Sequence, residues 1–105
     1  MKVFLTGATG YVGRAVARAL TEAGHEVTGL LRSAEKSSLL VDELGGRPVY
    51  GDMTIPASYR SEAAEHDALV HCAFHEESDP IGSDRTALDA LLDAARIGDR
   101  PRLVV

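Results

Sequence analysis

Short apolar runs of strand length alternate with stretches of helical spacing from one end of the chain to the other. The runs are Val3 to Thr6, Glu26 to Leu31, Pro48 to Gly51, Ala68 to Ala73 and Arg102 to Val105. Strand-length runs separated by helix-length segments are the pattern of βαβ units on a parallel sheet. The first intervening segment is the most regular: Val12, Ala15, Val16, Ala19, Leu20 and Ala23 recur at i, i+3, i+4, i+7, i+8 and i+11 and form one apolar helical face. Gly24 supplies its stop. The second helix starts at Ser33 as a cap, carries Leu40 and Leu44 one turn apart, and ends at Gly45-Gly46. The third begins around Thr54 and Pro56, is short, and ends near His66. The fourth runs from about Ser83 to Ile97 with Ala87, Leu88, Leu91, Leu92 and Ala95 on one side, and stops at Gly98.

Right-handed crossovers on such a sheet predict an α/β, doubly wound architecture of about five strands in the order 3-2-1-4-5, with helices on both faces. Its ligand crevice lies at the carboxyl ends of the first and fourth strands. The chain has 105 residues, 45% of them hydrophobic and 26% charged, enough for one small core. No linker, internal repeat or low-complexity segment divides residues 1–105, so a single domain is expected.

The net charge of -5 gives no broad positive field, which argues against nucleic acid or an anionic membrane surface as partner. The single cysteine, Cys72, excludes an internal disulfide framework and fits a reducing cytoplasm. No apolar run approaches about 18 residues, and strand patterning begins at once, so neither a spanning helix nor a signal peptide is read.

The chemistry concentrates where the first strand meets the first helix, at Thr6-Gly7-Ala8-Thr9-Gly10-Tyr11-Val12-Gly13. In such a turn Gly7 makes the sharp exit from the strand, Gly10 admits a pyrophosphate to bare backbone, and Gly13 packs the helix against the sheet. The first N–H groups of the helix and its positive dipole end face the phosphates, so no basic side chain is needed. The plain alternative is a glycine-rich turn without a ligand. Adenosyl binding as in S-adenosylmethionine proteins is disfavoured, because the glycine spacing suits a close pyrophosphate.

Thr6-Gly-x-x-Gly-x-x-Gly13, Gly51-Asp52-Met53 and Leu69-Val70-His71-Cys72-Ala73 together resemble the short-chain dehydrogenase/reductase superfamily. The resemblance is closest to its extended or atypical branch, the NAD-dependent epimerase/dehydratase family, where a His-x-Ala strand end is typical. It covers essentially the whole chain as the N-terminal, Rossmann half of that fold. It implies that Gly7, Thr9, Gly10, Tyr11 and Val12 surround the pyrophosphate. Asp52 and Met53 would flank adenine, the Asp52 carboxylate accepting from the exocyclic amine, and Ala73 and Phe74 would lie along the ribose and nicotinamide. For Asp52 a turn or cap ahead of the third helix is an equal reading.

Cofactor choice turns on the end of the second strand, which reads Leu30-Leu31-Arg32-Ser33. An acidic residue there holds a ribose 2′-hydroxyl, whereas an Arg suits a 2′-phosphate. Arg32 offers a fork, Ser33 a donor and Lys36 added charge, so NADP is favoured, with NAD still open. The bland reading of Arg32 is a solvated surface residue.

Other candidates are weaker. His71 and His75 do not converge on an extended strand end and lack a third ligand, so no metal site is assigned. Cys72 reads as a small core residue without an activating cation. Glu76, Glu77 and Asp79 form an acidic loop near the crevice mouth, by default solvated. The resembled enzymes use a Ser or Thr and a Tyr-x-x-x-Lys pair for proton transfer. None of Tyr11, Tyr50 and Tyr59 is followed by Lys four positions on, so no catalytic residue is assigned. The expectation is a cofactor-binding half, truncated before its catalytic half, that binds without turnover and tends to self-associate through its open sheet edge. The parent would be an oxidoreductase or sugar-nucleotide epimerase. The alternative is a non-catalytic NADP-sensing regulatory protein of the atypical branch.

Overall fold

The computed structural model describes residues 1–72, 80–97 and 103–105. Five strands, β1 (Lys2–Thr6), β2 (Glu26–Leu31), β3 (Arg47–Tyr50), β4 (Ala68–His71) and β5 (Leu103–Val104), form one sheet in the order β3-β2-β1-β4-β5. Every pairing is parallel, with Thr6 of β1 in register with Leu30 of β2 and His71 of β4. This is the doubly wound order predicted from the apolar runs. Strand boundaries fall within a residue or two of those runs, and Ala73 and Arg102 lie outside the described residues.

Alternation along the central strand sends side chains to two separate cores. Phe4 of β1, Leu30 of β2 and Leu69 of β4 point to one face, with α2 (Arg60–Ala63) and α3 (Pro80–Ala95) over them. Leu5, Val27 and Leu31 point to the other, under α1 (Tyr11–Glu22) and the segment carrying Leu40 and Leu44. Strands covered on both faces explain the continuous apolar runs.

The helices depart from the sequence reading in instructive ways. In α1 the buried positions are Gly13 and Ala17, with Val16 and Leu20 packed partly beneath. Val12 is 61% exposed, and Ala15, Ala19 and Ala23 also face outward. Four of the six expected positions are therefore solvated, because the close contact of Gly13 with Gly7 turns the Gly13 and Ala17 side of the helix, flanked by Val16 and Leu20, onto the sheet. Its end is as expected: Gly24 adopts φ 90°, while the Gly24 and His25 amides return to the Thr21 and Leu20 carbonyls.

The second crossover is not a regular α-helix. It comprises a 3₁₀ turn at Ala34–Lys36 and a π turn at Leu39–Glu43, closed by the Leu44 amide on the Leu39 carbonyl at 3.2 Å. Ser33 stands at the cap position but makes no side-chain cap hydrogen bond. Leu40 and Leu44 are nonetheless buried as predicted. Leu40 nests against bare backbone: a β-carbon on Gly29 or Gly46 would come within 2.8 or 2.7 Å of its methyl groups.

The third crossover opens with a 3₁₀ turn at Pro56–Ser58, proline leading, and continues as the four-residue α2. Ile55, not Thr54, takes the cap position. The fourth helix, α3, starts at Pro80, ahead of the predicted Ser83, and ends at Ala95. It buries Ala90, Leu91 and Ala94 and leaves Leu92 39% exposed. The contact face is thus rotated toward the alanines, which allow close packing on α2. Gly98 lies outside the described residues.

Candidate functional site

β1, β2 and β3 deliver three short segments to the carboxyl end of the sheet. After β1, Gly7 turns the chain with φ 71°, a conformation that L side chains rarely adopt. The Gly10 amide donates to the Gly7 carbonyl at 3.0 Å, closing the loop on itself. Gly13 then lies directly on Gly7: a β-carbon there would overlap the Gly7 carbonyl oxygen and sit 2.5 Å from the carbonyl carbon.

This locks the start of α1 onto the strand. Gly10 is the cap residue, and it contributes no side-chain hydrogen bond. The first intrahelical bond at this end is the Arg14 amide on the Gly10 carbonyl, so the Tyr11, Val12 and Gly13 amides find no partner within the helix. No acidic residue occupies the first turn. The helix end therefore presents its partial positive charge and backbone donors at the carboxyl end of β1. Tyr11 is 89% exposed beside it, Thr9 is half-buried, and Ala8 is fully buried under the loop.

The fourth strand is tied to the same loop. Thr6, fully buried, places its hydroxyl 2.7 Å from His71 Nδ1 and accepts the Cys72 amide at 3.1 Å. The Cys72 amide also reaches the Thr6 carbonyl at 3.1 Å. His71 is thus a half-buried strand-end residue bridging β4 to the first residue of the glycine loop. Cys72 is half-buried, and burial pushes its thiol pKa up, as suits an inert thiol.

At the ends of β2 and β3, Arg32 and Asp52 meet. Leu31 is in register with Tyr50 and the Gly51 amide donates to the Leu31 carbonyl at 2.8 Å, which sets the next residues side by side. Arg32 Nη2 stands 3.6 Å from Asp52 Oδ2, the side chains being 63% and 28% exposed. Asp52 Oδ1 accepts the Thr54 amide at 2.8 Å and its hydroxyl at 2.7 Å. The turn reading of Asp52 is therefore correct, and one carboxylate edge also faces Arg32. Ser33 and Lys36 are exposed on the same rim.

The loop after β3 is braced from below. Ser58 Oγ accepts the Asp52 amide at 3.0 Å and donates to the Ile55 carbonyl at 2.6 Å. Tyr59, almost fully buried, donates to the Met53 carbonyl at 2.9 Å and stacks on Phe4 at 6.2 Å. Burial first, then the nearby Asp52 carboxylate, pushes the Tyr59 pKa up to about 12, with Arg60 opposing. Its phenol stays protonated and structural. Met53 is itself buried, 8% exposed, in the core with Phe4 and Leu30, so it underlies the rim rather than standing on it.

Ala73 and Phe74, with the loop residues His75, Glu76, Glu77 and Asp79, lie outside the described residues. Among the described residues no cluster of three His, Cys, Asp or Glu is arranged to hold a metal. Among the described residues, one surface hollow of about 450 Å³ lies on the outer side of α1 and another of about 530 Å³ at the amino ends of the strands. His66 lines the second and was not singled out from sequence as a buried group. Its Nδ1 donates to the Glu62 carbonyl and its Nε2 accepts from the Thr28 hydroxyl, both at 2.8 Å.

A glycine loop at the β1–α1 turn of a 3-2-1-4-5 parallel sheet is the arrangement of Rossmann-type dinucleotide-binding domains. Residues 7–105 match the family model described as NAD(P)H-binding, and the chain belongs to that family. It is similar to an uncharacterized protein of Schizosaccharomyces pombe, 35% identical over 96% of this chain and 35% of that protein. It is similar also to the photosystem II assembly factor Ycf39 of Guillardia theta, 30% identical over 99% of this chain and 34% of the factor. Among solved structures, AtPrR2 with NADP+ and (+)pinoresinol is 27% identical with a TM-score of 0.70, covering 89% of this chain and 33% of that one. The chain thus spans about a third of the length of these relatives. No described helix is long and apolar enough to cross a membrane.

Proposed function

We propose that this chain binds the pyrophosphate of NADPH at its glycine loop, as the cofactor-binding part of an oxidoreductase or epimerase-like protein. The observation that carries the reading is the start of α1: three amides without helical partners, a side-chain-free cap and no carboxylate in the first turn, packed on Gly7 through Gly13. Gly7, Thr9, Gly10, Tyr11, Val12 and Gly13 form the pyrophosphate cradle. Arg32, helped by Ser33, takes the ribose 2′-phosphate, and the exposure of its guanidinium supports that role. Asp52 accepts from the adenine amine, with Met53 buried beneath. Ala73 and Phe74 are proposed for the ribose and nicotinamide side on the family resemblance alone.

Within this chain the residues bind and orient. Hydride chemistry belongs to the cofactor, and no residue here is assigned a proton-transfer step. Calorimetric titration with NADPH and NADH tests the reading, NADPH binding more tightly and losing that advantage in Arg32→Ala. A folded sample that binds neither dinucleotide would overturn it.

A further inference from the structure

The pairing of Arg32 with Asp52 bears on how this site discriminates between cofactors. Both groups project from strand ends held together by the β2–β3 ladder, so their proximity is fixed by backbone register. Asp52 Oδ1 is committed to the Thr54 amide and hydroxyl, which orients the carboxylate and leaves Oδ2 facing Arg32 at 3.6 Å. A guanidinium grips a phosphate through a two-pronged fork, and a carboxylate on one prong competes for it.

We propose that Asp52 is a specificity-determining residue that acts as a brake on 2′-phosphate recognition: its carboxylate holds Arg32, and a 2′-phosphate must displace it to engage the fork. A ribose 2′-hydroxyl carries no charge to compete for Arg32, so NADH binds without breaking the pair. The preference for NADPH is set by the balance of two anions around one cation. The proposal rests on the reading of Arg32 as the 2′-phosphate ligand.

Asp52→Asn isolates the effect. The amide oxygen keeps an acceptor for Thr54 while the negative charge is lost. Any change in the adenine contact falls on NADPH and NADH alike, so the ratio of their affinities is the readout. An exposed ion pair of this kind sets the expected gain at about two- to fivefold in the NADPH-to-NADH affinity ratio. The gain should vanish in the Arg32→Ala background.

The experiment is a calorimetric cycle of the chain as it stands, Arg32→Ala, Asp52→Asn and the double variant, each titrated with both dinucleotides. Asp52→Ser, which keeps a hydroxyl acceptor for the Thr54 amide, runs beside it and replaces Asp52→Asn if that variant does not fold. A gain in ratio that requires Arg32 supports the brake. An unchanged ratio in Asp52→Asn, with a loss in Arg32→Ala, overturns the brake and leaves the Arg32 reading intact. A gain that persists without Arg32 also overturns it, assigning the effect to direct repulsion. An Arg32→Ala variant with unaltered ratio overturns both.

Discussion

Gly13→Ala separates the architecture of the glycine loop from its chemistry. A β-carbon on Gly13 would overlap the Gly7 carbonyl oxygen, lie 2.5 Å from its carbon and 3.1 Å from Ala8 Cα. All three are backbone atoms, so no side chain can rotate away. Restoring ordinary carbon contacts of about 3.5 Å requires the start of α1 to withdraw from β1 by about 1 Å or more. Alanine recovers about 0.5–1 kcal/mol of helix propensity over glycine. Forcing a methyl group into a packed site costs about 1–3 kcal/mol, with more where only backbone can yield. The balance is a loss of about 2 kcal/mol, which for a domain of about 100 residues lowers the melting temperature by about 8–16 °C.

Gly10→Ala is the counterpart. Its β-carbon meets only the Gly7 carbonyl oxygen, at 3.3 Å, and its φ of -77° suits any residue. The fold should lose less than about 1 kcal/mol, while NADPH affinity falls by about tenfold or more because the methyl group stands over the cradle. Thermal melts by circular dichroism and calorimetric titration of both variants make the comparison. A Gly13→Ala protein as stable as the parent would refute the close approach of α1 to β1. Unchanged NADPH binding by Gly10→Ala would refute the pyrophosphate placement.

Three further perturbations probe the surrounding structure. Thr6→Val removes the hydroxyl between His71 and the Cys72 amide, but that amide keeps the Thr6 carbonyl; urea unfolding should show a loss of about 1 kcal/mol, and no loss would mean the bridge stabilises nothing. Leu40→Ala empties a fully buried site between Gly29 and Gly46 and should cost about 2–5 kcal/mol in the same assay; a change near zero would mean the segment collapses freely onto the sheet. Burial lowers the His66 pKa from its ordinary 6.5, with Arg47 and Lys2 adding to the effect and the Glu62 carbonyl and carboxylate opposing it. As pH falls, the unfolded chain therefore takes up the proton first, so this contribution is complete above 6.5 and is lost in the window just below. Stability measured against pH should decline less steeply there in His66→Gln, and identical slopes would count against a neutral buried ring.

The strands were legible because parallel strands packed on both faces need largely apolar runs, and Val3 to Thr6, Glu26 to Leu31 and Ala68 onward are such runs. Helix faces were harder. In α1 the alanines fit either face, and only the contact of Gly13 with Gly7 decides which side meets the sheet. Leu40 and Leu44 announced their burial through spacing, but the irregular turns that carry them had no signature beyond the nearby glycines. At the site, local residues were readable and non-local pairs were not. Asp52 with Thr54 is a turn motif two residues long. Asp52 with Arg32 depends on the register of two strands. Likewise His66 finds Thr28 38 positions away, and Tyr59 reaches back to Met53, with no motif announcing either bond.

With 16 acidic against 11 basic residues, the chain presents a net field that disfavours an anionic dinucleotide. Recognition must then be short-ranged, and the proposed site divides it between two unlike devices. The proposed pyrophosphate cradle is made of backbone amides whose positions follow from Gly7 and Gly13, so exchanges of exposed side chains leave it intact. The proposed 2′-phosphate preference rests instead on an exposed guanidinium shared with Asp52, outside both hydrophobic cores. If the two proposals hold, substitution at Arg32 or Asp52 shifts the choice between NADPH and NADH without unsettling the sheet. On the same reading, loss of pyrophosphate recognition requires a change in the glycine loop itself, at Gly10 with the fold kept or at Gly13 with the junction of α1 and β1 disturbed as well. Under the proposed reading, cofactor preference lies with exposed side chains and pyrophosphate recognition with the backbone of the loop.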